Sequence, residues 1–100
     1  MRVLAGLTLT VEAEEMRRMI RISHNKLDEE LSELKEAFLI DLAVGGVNRI
    51  PEGDALAKTC LRMYLRWQEN YNGEAERYRT AYEGLKIAMS LAEEYRGGTA

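Results

Sequence analysis

A single cysteine and a single histidine in 100 residues exclude an intramolecular disulfide, and they leave no Cys and His ligand set for a structural zinc site. One proline and eight glycines exclude collagen-like and low-complexity chains. Long apolar runs are missing as well. The best, Ala37 to Ile40, stops at Asp41, far short of the roughly 20 residues a bilayer crossing requires. Near the start, Arg2 is followed by apolar residues from Val3 to Leu7, but the run ends at Thr8, so no secretory leader is expected. Cys60 is then expected to stay reduced inside a cell.

Excess positive charge is also absent. The 14 basic residues face 17 acidic ones, and neither half of the chain is basic, whereas general nucleic-acid binding needs clustered Lys and Arg to neutralise phosphates. What the chain does have is 46% hydrophobic residues at a net charge of only −3, a combination that folds rather than staying disordered. A chain this short forms one core, so a single domain is expected, with residues 1–9 and 97–100 as loose ends.

The periodicity is helical almost throughout, with strand-like alternation confined to Val3–Val11. The spacing predicts an all-α fold, a small bundle of four main helices joined by short loops. The first helix is expected to start at Thr10 as N-cap, bury Val11, Met16, Met19 and Ile20, and end near Ser23. The second begins at Asn25, with Asp28 completing a capping-box-like start. It carries a stripe of Leu27, Leu31, Leu34, Phe38 and Leu42 and stops at Gly45 and Gly46. After the loop Val47–Gly53, Asp54 caps a third helix that runs to about Tyr71, with Leu56, Cys60, Met63 or Tyr64, Trp67 and Tyr71 on one face. The fourth covers about Glu74 to Tyr95 and is expected to bury Tyr78, Tyr82, Leu85, Met89 and Ala92.

No constellation points to catalysis. Asp28, Glu29, Glu30, Glu33 and Glu36 crowd the second helix opposite its leucines, whereas acid–base catalysis needs a carboxylate buried or held by a close partner. His24 has no Ser, Cys or second His at a useful spacing. Cys60 falls on an apolar stripe and reads as a small core residue. The tyrosines and Trp67 follow helical spacing without interleaved basic residues, which suits a helix–helix core better than base stacking. Gly45 and Gly46 lack the Lys-Ser/Thr ending of a phosphate loop. No catalytic residue, metal or cofactor is assigned. The remaining pattern is one of charge. Lys58, Arg62 and Arg66 form a stripe on the third helix, opposite in sign to Glu29, Glu33 and Glu36 on the second. Exposed stripes of this kind are usually only solvated, but two copies in head-to-tail contact would pair them, and such contacts close into rings.

Four blocks carry a resemblance: LTLTVEAEEMRRMIRIS at 7–23, LDEELSELKEAFLIDLAVGGV at 27–47, DALAKTCLRMYL at 54–65 and ERYRTAYEGLKIAMSLAEEYR at 76–96. In this order they resemble the head–tail connector proteins, or head-completion adaptors, of tailed phages and prophages, over about nine-tenths of the chain. Ala55 stands where that family usually has proline after the aspartate, and Thr59 and Cys60 replace more aliphatic residues. The resemblance implies a non-enzymatic virion protein that forms a ring of about a dozen copies under the portal. Such a ring extends the DNA channel without sequence-specific binding and docks the stopper or tail, and the protein resides in the host cytoplasm before assembly. Glu29, Glu33, Glu36, Lys58, Arg62 and Arg66 are then the candidate interface residues. The alternatives are a general helical interaction module, a DNA-binding regulator without the expected basic cluster, or an enzyme. For the last, RRMIRISHNKLDEELSELKEAF vaguely resembles the first helix of all-helical chorismate mutases, but Ser23–Asn25 interrupts it.

Overall fold

A computed structural model describes residues 7–96. Helices α1 (Ala13–Met19), α2 (Asp28–Val44), α3 (Ala55–Gln68), α4 (Ala75–Leu91) and a single turn α5 (Glu93–Arg96) follow in order, with a 3-10 turn at Tyr71–Gly73. The described residues contain no strand, and the all-α bundle expected from periodicity is the fold. The radius of gyration, 13.3 Å, is that of one compact domain of this length.

Helix α3 is the central element and packs on α1, α2 and α4. This position explains a difference from the single apolar face read in the sequence. Cys60 and Tyr64 are buried as expected, but Ala57, Leu61 and Leu65 on the adjoining stripe are completely buried too, while Leu56, Met63, Trp67 and Tyr71 are only partly covered. A helix with neighbours on three sides buries more than one stripe. On α2 the expected stripe holds: Leu31, Phe38 and Leu42 are fully enclosed, with Leu27 and Leu34 packed at the edge. Each such burial stabilises the fold by roughly 1.5–3 kcal/mol.

The helix boundaries depart from the sequence in several places. Helix α1 ends at Met19, short of Ser23, and α3 ends at Gln68, short of Tyr71, because Asn70 turns left-handed at φ 51° and leads into the 3-10 turn. Helix α1 starts at Ala13 with Glu12 at the cap position and no side-chain cap. Thr10 instead belongs to an extended lead-in whose Leu7, Leu9 and Val11 are buried between exposed Thr8, Thr10 and Glu12. Lys35 fixes this segment to α2 by donating to the Leu9 carbonyl at 3.2 Å. The expected loose ends therefore do not include Leu7–Leu9; residues 1–6 and 97–100 lie outside the described residues. Helix α2 begins at Asp28, with Leu27 at the cap and no side-chain cap bond. Asp28 is occupied by a bidentate pair with Arg17, at 2.9 and 3.0 Å, which locks α1 to α2.

A further departure lies at the C-terminal end. Helix α4 ends at Leu91, Ala92 is extended at φ −89°, ψ 137°, and α5 follows as a separate turn. The break is made by tertiary bonds. The Asn48 and Arg49 N–H groups both donate to the Tyr95 carbonyl, at 2.7 and 3.1 Å, and the Tyr95 hydroxyl donates to Asp54 at 2.7 Å. The loop before α3 is thereby held within its own chain. Its turn requires Gly53, at φ 70°, between Pro51–Glu52 and Asp54, and the Asp54 N–H donates to the Pro51 carbonyl. Asp54 caps α3 as expected, accepting from the Ala57 N–H at 2.9 Å.

Candidate interaction surface

At 100° per residue, Glu29, Glu33 and Glu36 fall within about 60° of arc on α2. All three are exposed, and none takes part in an ion pair among the described residues. They form an uncompensated acidic ridge, as read from the sequence.

The basic stripe is less free than the sequence suggested. Lys58 pairs with Glu15 of α1 at 3.3 Å, with both side chains about one-third exposed. Arg66 donates from Nε to the Met19 carbonyl at the end of α1, at 2.8 Å. Its guanidinium also lies 4.5 Å from the Tyr71 ring centre and 5.5 Å from that of Tyr78. A cation over aromatic faces that also satisfies a helix-end carbonyl is a clamp within the fold. Arg66 therefore joins α1, α3 and α4, and with Arg17 and Lys58 it holds the short α1 in place. Spacing along α3 showed the stripe but not that α1 lies across part of it.

Arg62 remains, and Arg18 joins it. Both line a cleft of about 380 Å³ between α1 and α3, together with Lys58, Glu15, Ala55 and Thr59. Arg18 has a single partner, Glu14 at 3.3 Å, and both side chains are more than two-thirds exposed, so that pair is easily exchanged. The cleft carries three cations and one carboxylate and suits an acidic surface.

A second polar centre went unread in the sequence. Asp41 accepts from the Tyr82 hydroxyl and from Lys86 Nζ, the latter at 2.9 Å, and Lys86 also pairs with Glu83 at 3.3 Å. Burial pushes the Asp41 carboxyl up, but the bonds from Tyr82 and Lys86 outweigh it and hold the group below its ordinary value. Burial and then Asp41 raise the Tyr82 hydroxyl. The only signal was a carboxylate set inside the apolar run AFLIDLAV. The centre borders a cleft of about 350 Å³ with Ala37, Ile40 and Val44 on one side, Glu83 on the other and Tyr64 and Trp67 between. Asp41 is ionised and already engaged, and burial pushes the Cys60 thiol up to about 12, so neither is poised for proton transfer or attack at neutral pH. Among the described residues no three His, Cys, Asp or Glu side chains converge on a metal position, and no helix is long and apolar enough to cross a membrane. His24 is exposed, its Nδ1 accepting from the Lys26 N–H at 3.2 Å.

One carboxylate is strained by its surroundings. Burial and the neighbouring Glu30 push Glu69 up to about 7, and its Oε2 is buried without a partner. A carboxyl whose folded value exceeds its unfolded 4.5 binds protons on folding. The stability it contributes is complete below 4.5 and is lost as pH rises through 7. Glu69→Gln is expected to remove this dependence and to raise stability at pH 8 by about 1 kcal/mol, after allowing for solvent screening. Urea unfolding at pH 5 and pH 8 measures it.

Compared with known proteins, the chain matches no family model, no curated protein and no solved structure.

Proposed function

We propose that this chain is a head–tail connector of a tailed phage or prophage, a structural protein that assembles head to tail into a ring beneath the portal. Its sequence blocks support the reading by resemblance, and an all-helical domain is compatible with it. The observation that carries it furthest is the exposed acidic ridge of Glu29, Glu33 and Glu36, with the basic cleft of Arg18, Lys58 and Arg62 on other helices. Complementary patches at two different places on one chain make a heterologous contact, the kind that closes into rings. The acidic balance of the chain, −3 overall, suits a channel wall past which DNA slides.

Light scattering on a sizing column, alone and with purified portal protein, tests this. A many-copy species in either run supports the reading, and a single chain in both contradicts it. Arg18→Glu with Arg62→Glu is expected to weaken assembly at least tenfold with helical content unchanged. Arg66→Glu, by contrast, is expected to lower folding stability, because Arg66 is a clamp of the fold. Undiminished assembly of the Arg18/Arg62 variant would remove the cleft from the contact.

A further inference from the structure

The acidic ridge does not end at Glu36. Ile40 and Val44 continue it, within about 80° of arc on the same helix, so one face of α2 is acidic in its first half and apolar in its second. Ile40 is 46% and Val44 70% exposed, and Ile87 at 57% and Leu91 at 73% carry apolar surface onto α4. The two helices meet here: a side chain on Gly45 would touch Lys86 at 3.3 Å, and one on Gly46 would touch Ser90 at 3.5 Å. These four are the large exposed hydrophobics of the described residues, and Glu83, one turn before Ile87 on α4, lines the same cleft as Ile40 and Val44. Clustering of this kind marks a contact surface.

A straight helix presents one face to one body, so whatever covers the acidic half of the α2 stripe also covers the apolar half. We infer that Ile40 and Val44 anchor the contact between copies, seated on the Pro51–Ala55 corner of a second copy, with α2 of one copy antiparallel to α3 of the next. The inference rests on the ring reading above and adds its register. The order of chemistry supplies the direction. Along α2 the stripe runs from acidic to apolar. Backwards along α3 it runs from Arg62 and Lys58 to exposed Ala55 and, past the exposed Glu52, to half-buried Pro51. Only antiparallel helices bring like order to like. The lengths agree: Glu33 to Val44 covers about 16 Å, while Arg62 to Ala55 covers about 10 Å with Pro51 one loop beyond. The corner has relief to receive side chains, with the basic cleft on one side and a cleft of about 210 Å³ beside Ile50 and Pro51 on the other. Charge then sets the orientation while the apolar residues supply contact area.

The test uses the full chain in two measurements. Val44→Asp, at a position exposed enough to keep the fold, is expected to weaken self-association at least tenfold by light scattering. The double variant Ile40→Cys/Ala55→Cys, whose positions lie seven residues from Glu33 and from Arg62 and so face each other in this register, is expected to give a ladder of covalent oligomers under mild oxidation, since each copy offers one thiol to each neighbour. Glu29→Cys/Ala55→Cys, with its thiols at opposite ends of the contact, gives none; buried Cys60 stays out of the reaction. Assembly of Val44→Asp at wild-type strength would overturn the inference and leave the ring reading intact, the patch then belonging to a different protein. A ladder from Glu29→Cys/Ala55→Cys, or none from Ile40→Cys/Ala55→Cys, would overturn the antiparallel seat. A wild-type chain that stays single, alone and with portal protein, overturns the ring reading and this inference with it.

Discussion

Replacing Tyr82 with alanine is expected to cost about 4 kcal/mol, which for a domain of this size lowers the melting temperature by roughly 20 °C. Tyr82 is fully buried, and its ring lies 6.2 Å from Phe38, 5.1 Å from Tyr64 and 5.8 Å from Trp67. It is the one ring that α4 inserts between α2 and α3. Removing it leaves a cavity among Phe38, Tyr64 and Trp67, and it leaves Asp41 with Lys86 alone. Tyr82→Phe keeps the ring and loses only the hydroxyl, so it is expected to cost about 1.5–3 kcal/mol, the range for a bond to a charged group. Because the folded Asp41 value is lowered, the stability it contributes is present above its unfolded value of 3.8 and is lost as pH falls through the folded one. Tyr82→Phe is therefore expected to flatten the acid side of the stability profile. Thermal and urea unfolding read both effects. A Tyr82→Ala loss below about 1 kcal/mol, far under the range for a buried ring, would contradict the placement of Tyr82 at the hub.

The second large effect belongs to Asp54. Its Oδ2 accepts from the Ala57 N–H at 2.9 Å and from the Tyr95 hydroxyl at 2.7 Å, so one carboxylate both starts α3 and fastens α5. Asp54→Ala is expected to cost about 2.5–4 kcal/mol, the sum of a lost cap of about 1 kcal/mol and a lost bond to a charged acceptor of about 1.5–3 kcal/mol. Tyr95→Phe keeps the cap and is expected to cost only the second part, about 1.5–3 kcal/mol. Burial and then Asp54 push the Tyr95 hydroxyl up to about 12, so the bond survives at any ordinary working pH. Amide exchange separates the two roles: both variants speed exchange at Asn48 and Arg49, whose N–H groups bind the Tyr95 carbonyl. Only Asp54→Ala speeds exchange at Ala57. Equal stability losses in the two variants would mean that the cap contributes nothing.

These two side chains mark where sequence reading succeeded and where it stopped. The leucine stripe of α2, the Asp54 cap and the Tyr78–Tyr82–Met89 face of α4 follow from periodicity and local chemistry, and they were legible. Features made by distant partners were not. Nothing in the sequence around Ala92 breaks a helix; the break comes from backbone bonds 47 residues away in sequence, between Tyr95 and Asn48. Asp28 looked like part of a cap because its partner Arg17 lies on another helix. Lys58 and Arg66 looked like a free stripe because the sequence shows that α1 exists but not that it packs against them. The acidic ridge was legible because no element covers it.

Mixing two charge-reversed variants tests the head-to-tail contact most directly. One variant carries Glu33→Arg and Glu36→Arg, the other Arg18→Glu and Arg62→Glu. Each alone sets like charges against each other and is expected to run as a single chain. Mixed in equal amounts they restore opposite charges at every contact, and alternating copies are expected to recover the assembled mass on a sizing column with light scattering. Two variants that stay monomeric when mixed, or that assemble on their own, would contradict the charge-paired contact on which the proposed ring depends.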